Sequence, residues 1–405
     1  MMYQTYQNFA KFIDPIRWGA KEHNHVLDTY FDGFIPKSLL SVKAINEQVS
    51  LMGFTHSRPE FDIHSILDAE GIDRRVEETC ATQTAFCNLL HFKKEGAVGE
   101  PKILLVTPMS GHFATLLKGT LKTLLKDHEV FITDWLNIRE VPLIEGDFDF
   151  DSYVDHIIQF LHFIGEDTHL MAVCQPTVAA LVATAILSED KSDVVPASLI
   201  LLAGPIDVRV NPTKVNQLAN EKPISWFKQK LIANVPYQCA GKGRRVYPGV
   251  TQLIAFMNMN MQRHQDTFKK LYQLRLEGKH EEAQLIVDFY EEYFAVMDLS
   301  ENFYLETVEK IFQKTELPKG VLECKGRIVN PRAIKKPFLL TIEGERDDIC
   351  GIGQTLAAQD LCALLPAYRK SHHLQAGVGH YGVFNGKRWE KYIYPIVRNH
   401  IQSCI

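Results

Sequence analysis

The chain predicts an α/β architecture, a mainly parallel sheet covered on both faces by helices, with a helical insertion and a helical N-terminal segment. Three observations predict it. From about residue 100, short apolar runs alternate with amphipathic helical patterns. That alternation stops at about 206 and resumes at about 335. Residues 1 to about 90 mix aromatic, apolar and charged residues without clear strand alternation.

The elements follow in order. "SLLSVKAINEQVSLMGF" (38–54) and "RRVEETCATQTAFCNLLHF" (74–92) read as helices, and 1–90 is taken as an N-terminal helical segment. "KILLVTP" (102–108), "EVFITDW" (129–135), "HLMAVC" (169–174) and "ASLILLAG" (197–204) read as buried strands. Helical patterns separate them: "FATLLKGTLKTLLKD" and "SYVDHIIQFLHFIGE". Residues 206–334 carry almost no strand texture, and "QDTFKKLYQLRLEGKHEEAQLIVDFYEEYFAVM" is helical by period and charge placement. Strand texture returns at "KPFLLTIEGERDD" (336–348) and "YRKSHHLQAGVGH" (368–380), and "RWEKYIYPIVRNHIQ" closes the chain as a helix. The simplest organisation is one core, 91–205 and 335–405, interrupted by a helical cap at 206–334.

Composition narrows the function. Hydrophobic residues make up 46% and charged residues 23% of 405, ordinary for a globular protein with a real core. The formal net charge of −5 leaves no basic excess to neutralise phosphates, which argues against nucleic-acid binding. The first residues show no charged leader followed by an apolar core and cleavage site, and no stretch reaches the ~18 apolar residues of a membrane span, so a cytoplasmic protein without a transmembrane segment is expected. The eight cysteines are scattered and none forms a CxxC pair, the wrong spacing for a zinc site and too sparse for a disulfide scaffold. Neither a metal nor another cofactor is expected.

Residues 168–187, "THLMAVCQPTVAALVATAIL", carry the chemistry. A strand runs into Cys174 and turns straight into an alanine-rich helix. In the α/β-hydrolase fold a nucleophile sits on such a sharp strand-to-helix turn, with small neighbours because the turn is tight. Ala172 is small; Pro176 takes the other small-residue place and suits a first helical turn, where its missing N–H goes unused. Ala179, Ala180, Ala183 and Ala185 let the helix lie close to the sheet. A helix N-terminus favours a thiolate, and the N–H of Gln175 would point at a developing oxyanion. A lone cysteine at a strand end is otherwise a common core residue.

The rest of the chain adds the partners. "EGERDDICG" follows the next-to-last strand, and its Gly344-x-x-Asp347 spacing places an acid on a loop; Asp348 competes, Asp347 being preferred for the spacing. "GVGHYGVFNG" follows the last strand and flanks His380 with glycines. Nucleophile, acid and base thus occur in the order this fold uses, each at a strand's C-terminal end. His372 and His373 fall within a strand and read as structural. After the first core strand, "TPMSGHFATLL" offers a second oxyanion N–H from Met109 or Ser110; His112 either lines the site with Ser110 or belongs to an ordinary turn.

Together "VTPMSGHFATLLKGT", "AVCQPTVAALVA", "AGPIDVRVNPTKVN", "MDLSENFYLETV", "EGERDDICGIGQT" and "GVGHYGVFNGKRW" resemble the intracellular poly(3-hydroxybutyrate) depolymerases of the α/β-hydrolase superfamily, from about residue 100 to 390. The resemblance implies a catalytic triad of Cys174, Asp347 and His380, an amorphous storage polyester at a granule surface as substrate, and ester cleavage through an acyl-cysteine. Water or a thiol such as coenzyme A remains open as the acyl acceptor, and so does the oligomeric state, a homodimer included. "TQLIAFMNMNMQRH" (251–264) offers an adaptable apolar dock for polymer, or else a helix–helix core. Two rivals stand beside this reading. A polyester synthase-like acyltransferase would carry glycines where Ala172 and Pro176 stand. A non-catalytic granule-binding protein would have no need of the three intact residues.

Overall fold

A computed structural model describes residues 2–31, 36–51, 53–259 and 261–404. A nine-stranded sheet organises it: β1 (Ser65–Leu67), β2 (Asp73–Gln83), β3 (Cys87–Lys94), β4 (Lys102–Val106), β5 (Glu129–Trp135), β6 (His169–Val173), β7 (Ser198–Leu202), β8 (Phe338–Gly344) and β9 (Lys370–Gln375). The spatial order is β1-β2-β3-β5-β4-β6-β7-β8-β9. Strands β1, β2, β3 and β5 pair antiparallel; from β5 to β9 every pairing is parallel.

Residue parity explains why the sheet is covered twice. Leu104, Val106, Leu170, Ala172, Leu199 and Leu201 face one core layer, which takes Tyr153, Ile157 and Phe160 of helix α4 (Phe150–Ile164) and the alanines of α5 (Thr177–Glu189). The alternate residues Ile103, Leu105, Met171, Val173, Ile200 and Leu202 face the other. That layer holds Leu121 and Leu124 of α3 (Lys118–Leu124) and Trp389, Val397 and Ile401 from the C-terminal helical segment. A strand buried on both faces reads as a continuous apolar run, the texture of β4 to β8. All six expected core strands are present, four within a residue or two of the expected ends, β8 ending four residues early at Gly344 and β9 five residues early at Gln375.

The helical reading of 74–92 is corrected: β2 and β3 form an antiparallel pair there, with Glu78 opposite Phe92. Cys87 and Leu89 of β3 enter one layer while Leu90 and Phe92 enter the other, so burial on both faces hides the period-two signal. In β2 only Val76 is buried, and its Arg, Glu and Ala residues favour helix locally; pairing to β3 decides the strand. The N-terminal helical segment therefore ends at Leu51, with α1 (Met2–Tyr30) and α2 (Lys37–Leu51).

The insertion also divides. Helices α6 (Lys214–Glu221) and α7 (Ile224–Leu231) precede a three-stranded sheet of two- and three-residue strands, a minor departure from an all-helical cap. Phe303, Ile311, Leu317 and Val329 pack into the α4–α5 layer of the core. A separate cluster forms around α8 (Gly249–Met259), α9 (Met261–Leu276) and α10 (His280–Tyr293), including Leu253, Leu271, Leu274, Val287 and Tyr290. The 33-residue helical pattern is thus two helices, parted at Gly278, whose φ of +72° suits glycine. Helix α2 docks on this cap: Gln48 Nε2 donates to the Phe268 carbonyl at 2.8 Å, and Arg275 pairs through two nitrogens with Glu47 at 2.8 and 2.6 Å.

Candidate active site

Strand β6 lies between β4 and β7 at the sheet's centre, and Cys174 is the first residue beyond it. Its φ is +67°, a left-handed conformation that costs a non-glycine residue about 1 kcal/mol or more. The surroundings hold it there. Its N–H donates to the Leu202 carbonyl at 2.7 Å, and its carbonyl accepts the Thr177 N–H at 3.2 Å and the Thr177 hydroxyl at 2.8 Å. Gly204, after β7, permits this closeness, because a Cβ there would lie 1.8 Å from Thr177 Oγ1. Pro176 sits at the N-cap, one place before the first turn, and its carbonyl accepts the Ala180 N–H at 2.8 Å. Ala179, Ala180, Ala183 and Ala185 are all fully buried against the core layer, as the close helix requires.

Two loops bring the partners. Asp347 follows β8 and His380 opens a short turn after β9. His380 Nδ1 and Asp347 Oδ2 are 2.8 Å apart, the two side chains 5% and 1% exposed. Asp347 Oδ1 accepts the N–H groups of Ile349 at 2.9 Å and Cys350 at 2.8 Å, which fixes the carboxylate plane. Cys174 is near enough to His380 to raise its affinity for a proton. Burial alone would strip the imidazole of its proton; the charges of Asp347 and Cys174, with the hydrogen bond to Asp347, outweigh it and push His380 well above its ordinary value. The structure thus brings Cys174, Asp347 and His380 together, while Asp348 is exposed. His372 stays in β9, its Nδ1 3.0 Å from Thr341 Oγ1.

The oxyanion residues are arranged differently from expectation. Gln175 follows Cys174 as anticipated, yet the Met109 N–H donates to the Gln175 side-chain Oε1 at 3.4 Å. Ser110 is half-buried in the same turn. His112 is buried, its ring centroid 5.2 Å from Tyr293 and 6.3 Å from Phe256, and its backbone bridges to Val296. Burial lowers its pKa to about 4. It is a neutral seat for the cap behind the cavity wall, not part of the lining.

Over His380 lies a cavity of about 310 Å³. Phe256, Met259, Phe289 and Tyr293 line it from the cap, and Asp348, His380 and Tyr381 from the core. Tyr381, Phe289 and Tyr293 were not singled out from the sequence; the one available signal was Tyr381's place beside His380. A larger cleft of about 1240 Å³ is lined by α1, α2, residues 53–59 and the cap, and has no catalytic candidate in its lining.

A parallel sheet flanked by antiparallel strands, a left-handed residue at the turn after its central strand, and an Asp–His pair on the loops after its last two strands define an α/β-hydrolase. Within that class, residues 203–405 match the family described as PHB de-polymerase C-terminus; the chain belongs to this family and is a hydrolase of it. The matched half contains Asp347 and His380, while Cys174 lies before it. No curated protein matches the chain. Solved structures similar in fold include an epoxide hydrolase from Bacillus megaterium (15% identity, 80% of this chain and 100% of that one, TM-score 0.46). Another is 2-hydroxy-6-oxo-6-phenylhexa-2,4-dienoate hydrolase from Rhodococcus sp. strain RHA1 (14%, 81% and 99%, TM-score 0.44). A putative lipase from Acinetobacter baumannii AYE aligns at 12%, 81% and 93%, with a TM-score of 0.40. No helix among the described residues is long and apolar enough to cross a membrane.

Proposed function

We propose that this hydrolase cleaves the ester bonds of amorphous poly(3-hydroxybutyrate) at the surface of cytoplasmic storage granules, through a Cys174–Asp347–His380 triad and an acyl-cysteine. The observation that carries the reading is His380 held between a buried carboxylate and the thiol at a strained turn.

Chemistry follows from that arrangement. Asp347 accepts the Nδ1 proton of His380 and leaves Nε2 toward Cys174, so the imidazole takes the thiol proton. The sulfur attacks the ester carbonyl, and the electron pair moves to the carbonyl oxygen, stabilised by the Gln175 N–H. Collapse breaks the C–O bond, and His380 returns its proton to the leaving alkoxide. Water, deprotonated by His380, then attacks the thioester and releases the acid with the thiol restored. The apolar, aromatic-lined cavity over His380 supports an apolar acyl chain as the group seated there.

The test is purified protein with amorphous polymer, with and without coenzyme A, beside Cys174→Ala. Acid release by wild type and a loss of about 10³-fold or more in the variant support the reading. Acyl-coenzyme A as product would make coenzyme A the acceptor in place of water. Polymer synthesis from a thioester would favour the acyltransferase, and full turnover by Cys174→Ala would end the cysteine assignment.

A further inference from the structure

The Gln175 side chain stands where the second oxyanion donor is anticipated. Its Oε1 accepts the Met109 N–H at 3.4 Å, so that backbone group already has an acceptor. Its Nε2 is enclosed, with no hydrogen-bond partner among the described residues, in a side chain of a residue only 9% exposed. The two atoms cannot be exchanged: turning the amide over would set two donors, Nε2–H and Met109 N–H, against each other. A buried donor without an acceptor is rare in folded proteins and calls for a reason. Here it belongs to the residue immediately after the nucleophile candidate.

We propose that Gln175 is a catalytic residue twice over, its backbone N–H and its side-chain Nε2–H together receiving the oxyanion, with Met109 serving to hold Oε1. This inference rests on the assignment of Cys174 as nucleophile. The arrangement has a physical advantage. A donor on Oε1 polarises the amide and makes Nε2–H a better donor, because hydrogen bonds in series reinforce one another. The donor has no acceptor among the described residues and would find one when charge develops on the carbonyl oxygen. An interaction made only then speeds the chemical step without tightening substrate binding.

Gln175→Ala and Gln175→Glu separate this from the alternative, in which Gln175 merely blocks the Met109 N–H. The alanine variant frees that N–H; the glutamate variant keeps an acceptor on it and removes the Nε2 donor. With p-nitrophenyl butyrate, both variants should lose about 10²-fold or more in kcat, with KM little changed. Alkylation of Cys174 by iodoacetamide passes through no oxyanion and should proceed close to the wild-type rate in Gln175→Ala, which also reports an intact site. A kcat for Gln175→Ala equal to or above wild type overturns the proposal and makes Gln175 a plug. Loss in the glutamate variant alone overturns it too, as repulsion by the added charge. If alkylating wild-type Cys174 leaves ester turnover intact, the nucleophile assignment itself has failed, a result separate from any Gln175 phenotype.

Discussion

Asp347 and Asp348 are consecutive but serve different surroundings. The Asp347 side chain is 1% exposed, with Oδ2 2.8 Å from His380 Nδ1, whereas Asp348 is exposed and borders the cavity lined by Phe289 and Tyr293. Asp347→Asn should reduce kcat by up to ~10⁴-fold by leaving His380 in the wrong tautomer. Asp348→Asn should stay within about tenfold of wild type, since it removes one charge from an exposed wall. Steady-state kinetics on both variants checks this, and a reversed rank would move the acid to Asp348.

The same pair sets a pH dependence. His380 rises on folding from its ordinary 6.5, with the Asp347 charge its largest raising influence. A group raised on folding contributes its full stability below 6.5 and loses it as pH climbs through the folded value. Denaturant unfolding should therefore show wild type more stable than Asp347→Asn near pH 6, with the gap narrowing as pH rises. A gap that widens with pH would contradict the sign.

Backbone strain at Cys174 predicts an inverted substitution order. At an ordinary site glycine is less stable than alanine by roughly 0.5–1 kcal/mol. At φ +67° alanine keeps the left-handed penalty and glycine does not. Cys174→Gly should thus be at least as stable as Cys174→Ala, by about 1 kcal/mol, with both inactive on ester. Equilibrium unfolding of the two variants decides it.

The methionine run splits into three environments. Met257 packs on the cap cluster, Met259 lines the cavity and Met261 is 42% exposed. Met257→Ser should cost about 1–2 kcal/mol of stability, and Met261→Ser less than about 0.5. Met259→Ser should weaken action on amorphous polymer more than on p-nitrophenyl butyrate, because a long chain uses more of the wall. Melting curves beside assays on both substrates test all three; equal loss on both substrates at Met259 would place it at the chemical step.

The amino-acid sequence by itself determined the six core strands from β4 to β9 and the order Cys174, Asp347, His380 along the chain. Both are local signals: a strand covered on two faces must be apolar throughout, and turn residues mark the strand ends where this fold builds its site. Tertiary structure alone decided the rest. Strand β2 exists because β3 pairs with it, against its own helical propensities. Phe303 and Ile311 leave the insertion to fill the core layer of α4 and α5, a destination that no local pattern encodes. Which aspartate meets His380 depends on a contact spanning 33 residues, and the Gln175 amide reaches Met109 across 66. Periodicity within a segment records which side of an element is apolar; it holds no information about which loop, folded over from elsewhere, supplies the hydrogen-bonding partner.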